Sequence, residues 1–158
     1  MRISSTNNLP KELIDFLSQG NNILLIKGNP GTGKTILSLE LLKHFQEDRN
    51  GIYVSTRVTS ERLFAQFPWL ESVIKPEYVL EVPKKGIMVS DTKMRKYPTS
   101  FEHVYDLAMR TENPMIVVDS WEAVTEDLDP NGQMGIIRLL ETLISSKNVN
   151  IILVSEVP

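Results

Sequence analysis

Eight consecutive residues, Gly28-Asn29-Pro30-Gly31-Thr32-Gly33-Lys34-Thr35, constrain this chain more than any other stretch, because they fit G-x-x-x-x-G-K-[ST] in a setting that gives the pattern structural meaning. A short apolar run, Ile23-Leu24-Leu25-Ile26, precedes them, and a helical pattern, Ile36-Leu37-Ser38-Leu39-Glu40-Leu41-Leu42, follows. A strand that delivers the chain to such a loop lets glycines turn backbone N–H groups inward around an anionic phosphate, while the next helix presents its positive dipole end to the same charge. In that arrangement Lys34 reaches the β and γ phosphates as a point charge, and the Thr35 hydroxyl becomes a ligand of the Mg2+ that bridges them. The competing reading is a Gly/Pro turn with a solvated Lys, which requires glycine spacing, Lys-Thr, strand and helix to coincide by chance.

A length of 158 residues is enough for one domain, expected to span residues 1–158, and 41% hydrophobic with 23% charged residues is a globular composition. There is no Cys, and His44 and His103 stand alone in helical patterns, so neither a disulfide framework nor a zinc site is expected. Met1-Arg2-Ile3-Ser4-Ser5-Thr6 lacks the apolar core of a signal peptide, and no apolar run approaches the ~18 residues of a membrane span. The expectation is a soluble, cytoplasmic protein. A net charge of −3 disfavours broad electrostatic capture of nucleic acid.

Residues 10–17 read as a short helix, with Pro10 in the first turn and Leu13, Ile14 and Leu17 on one face. The helix that begins at Lys34 is expected to run to about Glu47, packing Leu37, Leu41 and Phe45 against a sheet. Asn50-Gly51 reads as a turn into a strand, Ile52-Tyr53-Val54-Ser55, and residues 60–67 as a helix that follows Thr59 and stops at Pro68. Pro68, Pro76 and Pro83 make a long regular element over residues 68–86 improbable, and Gly86-Ile87-Met88-Val89-Ser90 is the expected third strand. Lys84, Lys85, Lys93, Arg95 and Lys96 form a basic cluster, read as a solvated loop.

Ser100 is a candidate cap for a helix over 101–111 that turns Val104, Leu107 and Ala108 inward. Met115-Ile116-Val117-Val118-Asp119-Ser120 has the look of a strand buried on both faces whose C-terminal end opens into a ligand site. Asp119 would then hold Mg2+ opposite Thr35, through a water. Residues 122–132 read as an acidic loop, followed by a helix carrying Ile136, Leu139, Leu140 and Leu143 and a last strand, Ile151-Ile152-Leu153-Val154, that ends at Ser155-Glu156. Strands alternating with helices mean an α/β fold with a parallel sheet, helices on both faces, and a site at the strands' C-terminal ends.

Taken together, Gly28 to Thr35, Val117-Val118-Asp119-Ser120 and Val154-Ser155-Glu156 resemble the RecA superfamily, and within it the KaiC-like ATPases, including archaeal relatives and the gas-vesicle regulator type. The resemblance covers nearly the whole chain. It implies a three-layer P-loop fold with strand order 3-2-4-5-1, ATP with Mg2+ as the ligand, and ring or filament assembly with sites between subunits. It also implies that Glu156 lies where such proteins place a polar contact to the γ-phosphate.

Two departures qualify it. The family usually sets Glu residues at the end of the second strand to activate water, whereas this chain places Arg57 and Val58 there. An Arg stabilises phosphate charge but cannot accept a proton from water, so hydrolysis is expected to be slow, by roughly 100- to 10,000-fold, unless Glu61 or Glu122 substitutes. The alternatives are a shifted alignment or Arg57 as a salt-bridge partner. The family also continues past its last strand here, so residues 22–27 are expected to form an exposed apolar sheet edge that a partner, or missing strands, would cover.

The leading expectation is therefore an ATP-binding regulatory switch with a protein partner or a homo-oligomeric assembly. A recombinase-like module acting on single-stranded DNA needs basic and aromatic loops, but the loop after Asp119 carries Glu122, Glu126, Asp127 and Asp129 with only Trp121 to stack. A small-molecule kinase shares the phosphate loop but shows no sequence signature of an acceptor pocket or lid. No N-K-x-D string is present, which leaves adenine as the default base.

Overall fold

Strand β4 (Pro114–Asp119) is buried along its whole length, which requires a paired strand on each edge and a covering layer on each face. The computed structural model, which describes residues 9–82, 99–126 and 128–156, supplies both. Strand β5 (Asn150–Glu156) pairs with one edge of β4 and β2 (Asn50–Ser55) with the other; β1 (Asn22–Gly28) lies outside β5 and β3 (Val79–Glu81) outside β2. All pairs are parallel, and the order is β1-β5-β4-β2-β3, the expected 3-2-4-5-1 read from the opposite edge.

Alternation along the strands divides the core into two layers. Ile52, Val54, Ile116, Val118, Ile151 and Leu153 meet α4 (Thr99–Arg110), α5 (Trp121–Thr125) and α6 (Pro130–Ser146) through Phe101, Val104, Val124, Ile136 and Leu143. On the other face, Tyr53, Met115, Val117, Ile152 and Val154 meet α1 (Lys11–Ser18), α2 (Lys34–His44) and α3 (Ser60–Gln66) through Leu17, Leu39, Leu42 and Leu63. Helix α2 is buried on more sides than its Leu37, Leu41 and Phe45 stripe suggests: Ser38, Leu39 and Leu42 are buried too, and Leu37 only partly. Edge strand β1 keeps Leu24 and Ile26 against the α2 layer but leaves Ile23 and Leu25 at 41% and 49% exposure.

Several local expectations yield to these long-range pairings. Asn50 and Gly51 extend β2 rather than turning, because Pro114 and Met115 of β4 lie opposite them. The strand beyond β2 comes from Val79–Glu81, after short 3-10 helices at Pro68–Ser72 and Pro76–Tyr78. The expected strand at 86–90 and the basic cluster of Lys84, Lys85, Lys93, Arg95 and Lys96 lie outside the described residues. Helix α4 starts at Thr99, so Ser100 is inside it rather than its cap, and α2 ends at His44, short of Glu47. Residues 122–125 are helical, since Val124 buries itself in the α4/α6 layer, and Asp129 caps α6 by accepting Gly132 N–H at 2.7 Å. Among the described residues, no helix is long and apolar enough to cross a membrane.

Candidate phosphate and metal site

β1 ends at Gly28 and α2 begins at Lys34, so the intervening loop must reverse direction within five residues. Gly31 and Gly33 do this with φ of +80° and +89°, a left-handed conformation that side chains disfavour. A Cβ at either position would project into open space, so neither glycine is required by crowding; their backbone angles are what demand them. Asn29 and Pro30 are exposed in the loop, whose shape is held from within: Thr32 Oγ1 donates to Asn29 O at 2.8 Å and Lys34 Nζ to the same carbonyl at 2.7 Å. The Lys34 side chain is therefore drawn back along the loop at the N-terminus of α2, with the residue only 8% exposed.

Across from the loop, the ends of β2 and β4 are tied together. Thr56 N–H donates to Asp119 O at 2.9 Å, and Ser120 N–H to Thr56 Oγ1 at 3.0 Å. Ser55 Oγ donates to Val58 O at 2.7 Å and accepts from the N–H groups of Arg57 and Val58, which fixes the turn that carries Arg57. Arg57 Nη1 reaches over to Glu156 Oε2 on β5 at 2.6 Å, an ion pair between residues 99 positions apart. The hydrogen bond that Arg57 donates to Glu156 raises the guanidinium pKa further, so it stays charged.

Beside the loop, three side-chain oxygens converge. Thr35 Oγ1 donates to Asp119 Oδ2 at 2.6 Å, and the Tyr53 hydroxyl donates to the same oxygen at 2.8 Å. Asp119 is 4% exposed, and its other oxygen, Oδ1, is buried with no hydrogen-bond partner among the described residues. An unpartnered buried carboxylate oxygen is costly, and a hydroxyl whose proton is committed to Asp119 keeps its lone pairs free. Both features suit a hard cation. Among the described residues, no three His, Cys, Asp or Glu side chains gather into a cage.

Gly31, Gly33, Lys34, Thr35, Asp119, Arg57 and Glu156 line one cavity of about 360 Å3, whose remaining wall includes Val58, Leu63 and Phe67. A neighbouring cavity of about 320 Å3 is lined by Thr56, Ser120, Glu122 and Glu126, and it shares Arg57 and Glu156 with the first. The ion pair thus belongs to both walls. Burial pushes the Glu122 carboxyl up, but hydrogen bonds from its own N–H, from Ser155 and Ser120 and from Glu156 N–H outweigh that and hold it below its ordinary value. Glu61 is exposed at the start of α3 and lines neither cavity. Sequence reasoning missed Tyr53 and the apolar wall; the available signal was strand alternation, which puts Tyr53 and Ser55 on one face of β2.

Residues 14–158 match the family described as the GvpD gas vesicle protein, P-loop domain. Protein GvpD1 of Halobacterium salinarum is 28% identical over 158 aligned residues, covering 93% of this chain. The chain spans 30% of that relative's length. Among solved structures, a KaiC-like protein of the hyperthermophilic archaeon Pyrococcus horikoshii superposes with a TM-score of 0.57 at 21% identity, over 88% of this chain and 62% of the other. That similarity is one of fold, a parallel α/β sheet of RecA type, and with the family it makes this chain a nucleotide-binding P-loop module.

Proposed function

Because the chain belongs to the GvpD gas vesicle P-loop domain family, we propose that it is an ATP-binding domain acting as a regulatory switch, with weak or partner-dependent hydrolysis. Residues 28–35 cradle the phosphates, Lys34 contacts the β and γ groups, and Thr35 with Asp119 holds Mg2+, Asp119 through a water. When bound, Mg2+ neutralises phosphate charge. The observation that carries the switch reading is the Arg57–Glu156 ion pair on the cavity wall. The end of β2 offers a cation there in place of a proton acceptor, and Glu156 acts on the terminal phosphate through that cation.

Glu122 is a candidate substitute base, since it is anionic and accepts Glu156 N–H at 3.3 Å, yet it lines only the adjoining cavity. Rearranging the ion pair would join the two cavities, and a partner that does so would switch hydrolysis on. A partner protein or a second copy fits this role, in the cytoplasm where ATP is available. Nucleic acid does not, because the segment after β4 is α5 with Glu122 and Glu126. One observation favours a second reading, a small-molecule kinase: Val58, Leu63 and Phe67 give the same cavity an apolar wall against which an acceptor could rest.

Calorimetry with ATP and Mg2+ and phosphate release on the same sample test the proposal. An Arg57→Glu chain alone would leave Glu156 facing a like charge in place of its ion-pair partner, so the informative variant combines Arg57→Glu with Glu156→Gln. Tight binding with negligible turnover in the parent, and faster turnover in the double variant, is the expected result. Robust turnover in the parent chain would instead make this an ordinary ATPase.

A further inference from the structure

We infer that Tyr53 is the positioning residue of the metal carboxylate, fixing the orientation in which Asp119 meets Thr35. The inference rests on the nucleotide-binding reading of the same site and extends it to a residue in the middle of β2.

Tyr53 is 1% exposed, and its ring is part of the core layer between the sheet and α2. Its hydroxyl nevertheless meets Asp119 Oδ2 at 2.8 Å, beside the 2.6 Å contact from Thr35. Held in the core by its ring, the hydroxyl can donate only where the fold places it, on Asp119 Oδ2. The other partner is different in kind. Thr35 sits in the first turn of α2, directly after the phosphate loop, and is only partly buried, so its hydroxyl answers to whatever the loop binds. Tyr53 is fixed by packing and cannot leave.

Two donors on Oδ2 and, among the described residues, none on Oδ1 make the two carboxylate oxygens unequal. A buried carboxylate gripped only by Thr35 could rotate about χ2 and exchange its oxygens; the Tyr53 bond suppresses that rotation. Hydrogen bonds behind a metal ligand typically change metal affinity by roughly 10- to 100-fold.

The test is Tyr53→Phe, which keeps the ring and removes only the hydroxyl. ATP affinity is measured by calorimetry in Mg2+ and in EDTA, and Mn2+ binding with ADP by electron paramagnetic resonance. The expected result is unchanged affinity in EDTA and about tenfold weaker binding in Mg2+, with Mn2+ affinity falling in parallel. The same substitution in an Asp119→Asn background should have no further effect on the metal-dependent part. Equal losses with and without metal would mean that Tyr53 only supports packing, and no loss in Mg2+ would overturn the inference outright. A parent chain that binds no nucleotide under any condition would instead sink the underlying nucleotide-binding reading.

Discussion

Glu156→Gln removes one charge from the wall shared by both cavities while leaving shape and volume nearly unchanged. Two opposing consequences follow. The Arg57–Glu156 pair is short, at 2.6 Å, but the side chains are 46% and 26% exposed, so its contribution to stability is that of a surface pair, about 0.5–1 kcal/mol. For a chain of 158 residues that lowers the melting temperature by roughly 1–4 °C. Phosphate binding should move the other way. The cavity of about 360 Å3 is wide enough for charges on opposite walls to lie roughly 6 Å apart, where unit charges at an effective dielectric of about 40 interact by roughly 1.4 kcal/mol. Losing that repulsion, and freeing Arg57 to face the phosphates, should tighten ATP binding about tenfold. Calorimetric titration of both chains, at low salt and at 1 M salt, gives the comparison; the gain should shrink at high salt, where screening reaches a few ångström. Weaker ATP binding by the variant would refute the reasoning, because it would mean that Glu156 contacts the nucleotide itself rather than restraining Arg57.

Lys34→Ala should abolish measurable ATP binding by calorimetry while leaving the circular dichroism spectrum intact, since among the described residues the amine's hydrogen bonds are to its own loop. Leu143→Ala, at a position 1% exposed between α6 and the sheet, should cost about 2–5 kcal/mol in a urea titration. Glu122 has a folded pKa below its unfolded value, so it adds stability at and above the ordinary carboxylate range and loses it as pH falls through the lowered value. Glu122→Gln should therefore flatten the acid limb of a stability-versus-pH curve and leave the alkaline limb alone.

What the chain's local order determines by itself is the phosphate loop and its setting. Apolar runs, glycines and Lys-Thr lie within about twenty residues, so strand, loop and helix are legible from neighbours alone, and the unbroken apolar run into Asp119 marks a doubly buried strand in the same way. The alternation of such strands with helices fixes a parallel α/β sheet, because parallel strands need crossovers. Only the tertiary structure decides the rest. Val79–Glu81 is too short to show a period and becomes a strand because the open edge of β2 offers it partners. Asn50 and Gly51 are extended because β4 lies beside them, against their own turn preference. The pairing of Arg57 with Glu156, and of Tyr53 with Asp119, joins residues 99 and 66 positions apart, whose meeting depends on which strand ends lie side by side. Residue types are written locally, but charge pairing and the division of a carboxylate's oxygens are properties of distances that exist only once the sheet has closed.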